Sequence, residues 1–465
     1  MLEFCRLKGG RLADNILYDH YKNIHEELKM KKIHITTLLL AAAVTLSGCS
    51  SAGSSSESVT AETAAASETA DTSAVPETTE ASSAKKYDYV HGTEGYYCIL
   101  DEMPDFKLEI QEYGTCWLYA ASASMRTAAF KETGKNYPLV PMELLDNIYG
   151  DDKEEGFFVK EGENEKEIGG WQWMVTEKLT SGFGDLTIDS SVILDQTDRE
   201  AIKANLRERG AVAIGTHDTD ESKKGRFGEY YTMNDTTSED FDHDVTIIGY
   251  DDHFPKDYFY EPASEDGAWI VYNSALDSGT LYYISYCTDM QYAISHKATD
   301  KYSEVLSYDA GNEQDRYIKT GDSTKTANVF HKSGKLAAVG TYNDFDKQDI
   351  RIEIYDSGFN DLLYSQDAVL GYHGYHTVDL DTPVDVNDFA VVITYSKGAP
   401  VEGETIDYGA TDYVTKAESG QSYVRISCTD GQVDDWKDLT DSGIKQFLNI
   451  DFEPGNCCIK ALFAK

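Results

Sequence analysis

The sequence predicts two folded domains in tandem, an α+β domain followed by an all-β sandwich, on a disordered N-terminal stalk. Three observations predict this. At 465 residues and 41% hydrophobic content, the chain exceeds what one core holds and suffices for two. An Ala-rich run of helical character opens at Cys116 and is followed by long apolar runs, whereas beyond residue 301 short alternating runs are broken by turn residues. Tyr is common, with 32 residues against 9 Pro, which suits half-buried sheet surfaces better than a helical bundle.

Charge excludes one class of partner. With 41 Lys plus Arg against 82 Asp plus Glu, the formal net charge is −41, a field that repels a phosphate backbone, so no nucleic-acid ligand is expected. Eight Cys over this length do not make a disulfide scaffold. No Cys-x-x-Cys occurs and no His/Cys cluster has zinc spacing, so neither a metal nor any other cofactor is expected.

The elements follow in order along the chain. Residues 1–29 carry Glu26 and Glu27 where a basic flank belongs, and read as a non-native extension upstream of a start at Met30. Lys31-Lys32 and the apolar run 33–47 are too short to span a bilayer, which needs about 20 residues, and fit a secretion signal. Its end, Leu46-Ser47-Gly48-Cys49, resembles the lipobox of bacterial lipoproteins. That resemblance implies a diacylglycerol on Cys49, hence a protein anchored by lipid to the bacterial cell membrane and facing the extracytoplasmic side. Residues 50–85 are rich in Ser, Ala, Thr and Glu and bury too little apolar surface to offset ordering, so they form a flexible linker.

The first folded domain, residues 86–300, carries the chemistry. In Gln111-Glu112-Tyr113-Gly114-Thr115-Cys116-Trp117 a Gly-Thr turn precedes a helix in which Leu118, Ala121 and Met125 share a face. A thiol at a helix N-terminus sits where unpaired N–H groups favour the thiolate. Phe241 to Tyr250 reads as a buried strand headed by His243, and Gly267 to Ser274 as an apolar run ending at Asn273. Ala201–Ile214 reads as a helix then a short strand, and Leu281–Tyr286 as another strand.

Cysteine, histidine and asparagine in that order, with His243 127 residues after Cys116 and Asn273 30 residues later, resemble the papain-like cysteine peptidases. The resemblance covers roughly residues 86–300 and implies an α+β papain-like fold, a helical half plus an antiparallel β half. Cys116 would be the nucleophile, His243 its proton partner, Asn273 the group that orients the imidazole, and Gln111 an oxyanion donor beside the Cys116 backbone N–H. Gly169-Gly170 resembles the wall along which a substrate backbone lies; a plain turn before a helix is the alternative. Trp117 and Asp242 complete the expected substrate-binding residues.

Departures from the family pattern bear on the site. Gln111 and Cys116 enclose four residues where the family has five, so either the loop tightens or the Gln111 amide points elsewhere. Ala275 stands where the family places a Trp that shields the Asn–His bond, which predicts a wetter, weaker bond. Asp242 and Asp244 flank the His; their charges favour imidazolium and oppose a thiolate placed too close. About 25 residues separate the stalk from Gln111, with no amphipathic helix among them, so no activating cleavage of a helical prosegment is expected.

The second domain, residues 301–465, reads as an antiparallel β-sandwich. Ile350–Tyr355 alternates, Phe389–Tyr395 is apolar, and turns recur at Asp356-Ser357-Gly358, Asn387-Asp388 and Asp430-Gly431. The stretch from Ala327-Asn328-Val329-Phe330 through Gln421-Ser422-Tyr423 and Trp436 to Cys458-Ile459-Lys460-Ala461 resembles the lectin-like domain that follows papain-like domains in some bacterial surface proteins, which implies a cell-surface glycan as a partner. A structural brace for the peptidase is the competing role. Asp344, Asp346 and Asp349 lack the Gly and Glu of a calcium loop and read as a solvated acidic loop. A disulfide among Cys428, Cys457 and Cys458 is permitted outside the cell, and Cys98 and Cys287 are left open as free or paired.

The function implied is a monomeric, surface-anchored cysteine endopeptidase acting on extracellular proteins or peptides through a thioester. Two alternatives stay open: a papain-fold amidase cutting cell-wall peptides, and a catalytically silent, glycan-binding adhesin.

Overall fold

In the computed structural model, the described residues are 94–149, 155–182, 185–217, 224–227, 230–236, 241–275, 281–311, 316–426 and 435–465. The expectations for the signal segment, Cys49, the stalk and Cys428 lie outside them. Among the described residues, no helix is long and apolar enough to cross a membrane.

Among the described residues, the α-helices of the first half are α1 (Cys116–Thr133), α2 (Pro141–Ile148), α3 (Gln172–Thr180) and α4 (Arg199–Glu208). The small residues of α1 let neighbours approach on nearly every side, and Leu118, Ala121 and Met125 are fully enclosed. The helix stops at Gly134, whose φ of 71° supplies the left-handed residue that closes the last turn. Asp198 caps α4 by accepting from the Ala201 N–H at 3.0 Å.

Among the described residues before 300, the strands are β1 (Tyr96–Cys98), β2 (Gly156–Val159), β3 (Thr187–Leu194), β4 (Val212–Thr216), β5 (Lys224–Phe227), β6 (Tyr230–Met233), β7 (His243–Asp251), β8 (Ala268–Tyr272), β9 (Tyr282–Ser285) and β10 (Gln291–Thr299). Strand β7 lies between β4 and β8, and β10 joins β4 to β3. The expected antiparallel β half has one parallel pair, β6 with β9. Segment 96–106 belongs to this half: Ile99, Met103 and Phe106 pack with Ala211 and Tyr258.

The rest of the chain is mostly β: β11 (Tyr302–Leu306), β12 (Tyr317–Ile318), β13 (Thr324–Asn343), β14 (Gln348–Asp356), β15 (Leu362–Leu370), β16 (Gly374–Tyr395), β17 (Ala399–Pro400), β18 (Ile406–Asp407), β19 (Thr411–Val414), β20 (Ser422–Ile426), β21 (Asp435–Asp438) and β22 (Ile459–Ala464). Long strands β13 and β16 pair along most of their lengths and shift register near Phe330 and Leu336. One end of β13 then meets β20 and the other β22, so both halves close on one core of Phe330, Ile352, Val391, Ile393 and Ile459.

The two domains interlock. Strand β2 pairs with β19, and Gly374–His376 of β16 pair with β3. Tyr342, Tyr375, Tyr413 and Cys458 share a core with Leu118, Met125, Leu144 and Val175 from the helices. The Tyr342 hydroxyl donates to the buried Glu177 carboxylate of α3 at 2.5 Å. Cys457 and Cys458 are free thiols, as are Cys98, Cys116 and Cys287. The disulfide allowed for the adjacent pair is not formed between them: Cys457 joins the C-terminal core and Cys458 the shared one.

Candidate active site

Helix α1 and strand β7 bring the two ends of the chemistry together. The Thr246 hydroxyl donates to the Ala120 carbonyl at 3.0 Å, fixing β7 against the first turn of α1. Cys116 at the head of that helix lies at the head of β7, where its sulfur is met by the Asp244 backbone N–H. Residue 243 heads β7, one position before that N–H.

His243 is buried, and its Nε2 lies 2.9 Å from Asn273 Oδ1. The Ala275 N–H donates to the same oxygen at 3.0 Å, which identifies it as the acceptor and places the imidazole proton on Nε2. In the neutral ring, Nδ1 is then the basic nitrogen. The wetter bond expected from Ala275 is not found, because Asn273 is only 4% exposed.

The thiol departs from expectation. Burial first, and the Asp244 charge second, push Cys116 up to about 11; the backbone N–H groups of Asp244, Trp117 and Cys116 itself act in the opposite direction and are outweighed. The helix terminus does favour the thiolate, as the sequence suggests, but enclosure decides.

Gln111 is held beside Asn273. Its backbone N–H donates to the Ser274 carbonyl at 2.8 Å, and its amide oxygen accepts from the Ser274 hydroxyl at 2.7 Å. One amide N–H donates to the Tyr113 carbonyl at 3.0 Å. Tyr113 takes a left-handed φ of 63°, which absorbs the missing residue of the loop at a cost of about 1–2 kcal/mol. The tighter loop therefore turns part of the amide toward Tyr113.

Of the expected substrate-binding residues, Trp117 is not in a position to touch a ligand. It is 1% exposed and lies beneath Gly170, where any Cβ would overlap its indole. Gly169 has φ of 75° and open space around it, so Gly169-Gly170 presents bare backbone over a tryptophan floor. Asp242 is exposed, and its N–H donates to the Thr216 carbonyl at 3.2 Å. The turn 164–167 flanks the nucleophile loop, with the Gly114 N–H donating to the Lys166 carbonyl at 3.0 Å.

Sequence reasoning passed over Gln172. It is the first residue of α3, 3% exposed, and its amide reaches toward Asp244. Burial pushes the Asp244 carboxyl up to about 7, with Gln172 as the offsetting partner. Nothing in the sequence marks this pair, since a Gln at a helix start is ordinarily solvated. Among the described residues, no group of three or more His, Cys, Asp or Glu side chains is arranged to hold a metal, and Asp346 and Asp349 are exposed.

Residues 276–463 match the family model described as a lectin like domain. The match starts earlier than the expected boundary at 301, although β9 and β10 pair within the sheet of the first domain. No curated protein sequence matches the chain. The cysteine protease and lectin-like domains of Cwp84, a surface layer associated protein of Clostridium difficile, superpose with a TM-score of 0.60 at 17% identity, covering 80% of this chain and 89% of that one. The clostridial Cwp84 after propeptide cleavage superposes at 0.59 and 18% identity, covering 80% and 99%. By fold, then, the chain is a papain-like domain followed by a lectin-like domain.

Proposed function

We propose that this chain is a cysteine endopeptidase, and that the meeting of Cys116 with the head of β7, one residue from a His243 oriented by Asn273, carries that reading. With the thiol raised by burial, Cys116 carries its proton at rest. As the Cys116 sulfur attacks the scissile carbonyl, its proton passes to His243 Nδ1, and Asn273 Oδ1 accepts from Nε2–H of the resulting imidazolium. The developing oxyanion takes the Cys116 backbone N–H and the second amide N–H of Gln111. His243 returns the proton to the leaving amine, whose departure yields the thioester. It then takes a proton from the water that attacks the thioester and gives it to the departing sulfur, restoring the thiol.

The substrates in this reading are extracellular proteins or peptides, with the enzyme tethered at the bacterial surface through a lipid on Cys49. The Cwp84 likeness, to a surface layer associated protein, supports that placement. A cell-surface glycan as partner of residues 276–463 rests on the lectin-like match.

A peptidyl epoxide is expected to label the wild-type protein at Cys116 and not the Cys116→Ala variant, and denatured casein to be cleaved by the former alone. Absence of both labelling and cleavage removes the peptidase reading. Release of fragments from peptidoglycan but not from casein points to the amidase, and glycan binding without turnover at any pH to the adhesin.

A further inference from the structure

Helix α3 opens beside the nucleophile with a polar pair that the proton transfers above do not use. Gln172 is 3% exposed, yet neither its amide nitrogen nor its oxygen completes a hydrogen bond of ordinary geometry. A buried amide so incompletely paired costs on the order of 1–3 kcal/mol, which a further partner would offset. Its amide reaches toward the Asp244 carboxyl, whose own residue is half-buried.

Among the described residues, no Lys or Arg acts on that carboxyl; burial raises it and the Gln172 amide lowers it. Opposite Asp244 in the β4–β7 register stands Gly215, where an added Cβ would come no nearer than 3.4 Å to Asp244 Oδ1 and 3.5 Å to Gln291. Strand β4 thus sends no side chain over the carboxyl.

The pair sits against the proposed chemistry from two directions. The Asp244 backbone N–H meets the Cys116 sulfur. The bare backbone of Gly169-Gly170, lying on Trp117, runs directly into Trp171 and Gln172. A peptide stretched along that wall toward Cys116 passes the pair within two residues of the bond under attack, at roughly 3.3 Å per extended residue.

We propose that Gln172 and Asp244 form the base of a specificity pocket that takes the cationic head of a Lys or Arg within two positions of the scissile bond, on its acyl side. This rests on the peptidase reading of Cys116. A substrate ammonium or guanidinium brings a positive charge that neither side chain carries, and N–H groups from which the Asp244 carboxylate and the Gln172 carbonyl oxygen both accept. Site groups left unpaired by a neutral side chain are what make such a pocket discriminate. The net charge of −41 draws cationic peptides in addition.

The test uses the purified full chain and fluorogenic peptides that place Arg or citrulline, and Lys or norleucine, at each of the two acyl-side positions. Wild type is expected to cleave the Arg or Lys peptide at one position with kcat/KM at least about tenfold above its neutral counterpart. Asp244→Asn is expected to bring that ratio near one, and Gly215→Leu to lower it by filling the pocket. The same Arg and citrulline peptides are titrated against Cys116→Ala by fluorescence anisotropy, where tighter binding of Arg is expected. A wild-type ratio near one with Cys116 still labelled by epoxide, or a ratio that survives Asp244→Asn, overturns the pocket. If no peptide is cleaved at all, the peptidase reading falls, and the Cys116→Ala titration decides the pocket alone: preference for Arg keeps it, equal binding removes it.

Discussion

Cys116 and Cys287 are both thiols near backbone N–H groups, and the structure sends them in opposite directions. Cys116 is half-buried, and burial first and the Asp244 charge second push its thiol up. Burial raises Cys287 too, but the Ser264 and Ser285 hydroxyls and the N–H groups of Ser264 and Glu265 outweigh it and bring the thiol below its ordinary value. With a neutral alkylating agent at pH 7, peptide mapping should find Cys287 modified before Cys116. Alkylation of Cys116 should accelerate as pH rises beyond 8 without a plateau at lower pH, and Asp244→Asn should speed it several-fold at neutral pH by removing the opposing charge. A plateau reached below pH 6 would mean a preformed thiolate–imidazolium pair instead. The place of Cys116 was legible because a Gly-Thr turn before an Ala-rich run marks a helix start. Its ionisation was not, because enclosure by Asp244 and the α3 segment depends on residues far along the chain.

Helices α1 and α3 are joined through a residue of neither. His296 of β10 is buried, with Nδ1 at 2.8 Å from the Ser124 hydroxyl of α1 and Nε2 at 3.1 Å from the Thr176 hydroxyl of α3. Burial, with the Arg209 charge second, pushes it down to about 3. Its unfolded value is about 6.5, so below that pH the unfolded chain takes up a proton that the folded chain refuses. The neutral ring's contribution is therefore intact above pH 6.5 and is lost progressively as pH falls toward 3, at about 1.4 kcal/mol per unit. Urea unfolding at pH 7 and 4.5 should show about 2–3 kcal/mol lost from this group, and His296→Gln should flatten that part of the acid dependence while lowering stability at pH 7. An equal pH dependence in the variant would assign acid sensitivity elsewhere. At this scale α4 appeared within two residues of its expected place, since its periodicity and the Asp198 cap are local. The His296 bridge was invisible, because a single His in an apolar strand has no signature until three elements converge on it.

Across the molecule, the second domain is built into the first. Strand β19 completes a small sheet with β2, β16 pairs with β3, and Tyr342, Tyr375, Tyr413 and Cys458 fill the core beneath the helices. A fragment ending at residue 300 should therefore expose that core and be recovered as aggregate or without epoxide labelling at Cys116, as measured by soluble yield and mass spectrometry. A soluble, labelled fragment would mean that the helical half closes on its own. Of the two roles the sequence offers the C-terminal domain, bracing and glycan binding, the shared core shows the first. What the sequence determined by itself was whatever spacing encodes: an Ala-rich helix opened by a cysteine, apolar strands headed by His243 and closed by Asn273, and a second half written in strands. The tertiary structure alone decided where the Gln111 amide turns, that Trp117 is a floor, that Gln172 meets Asp244, and that the domains share a core. These depend on contacts between residues tens to hundreds of positions apart, and side-chain periodicity records which face of an element is buried but not which partner covers it.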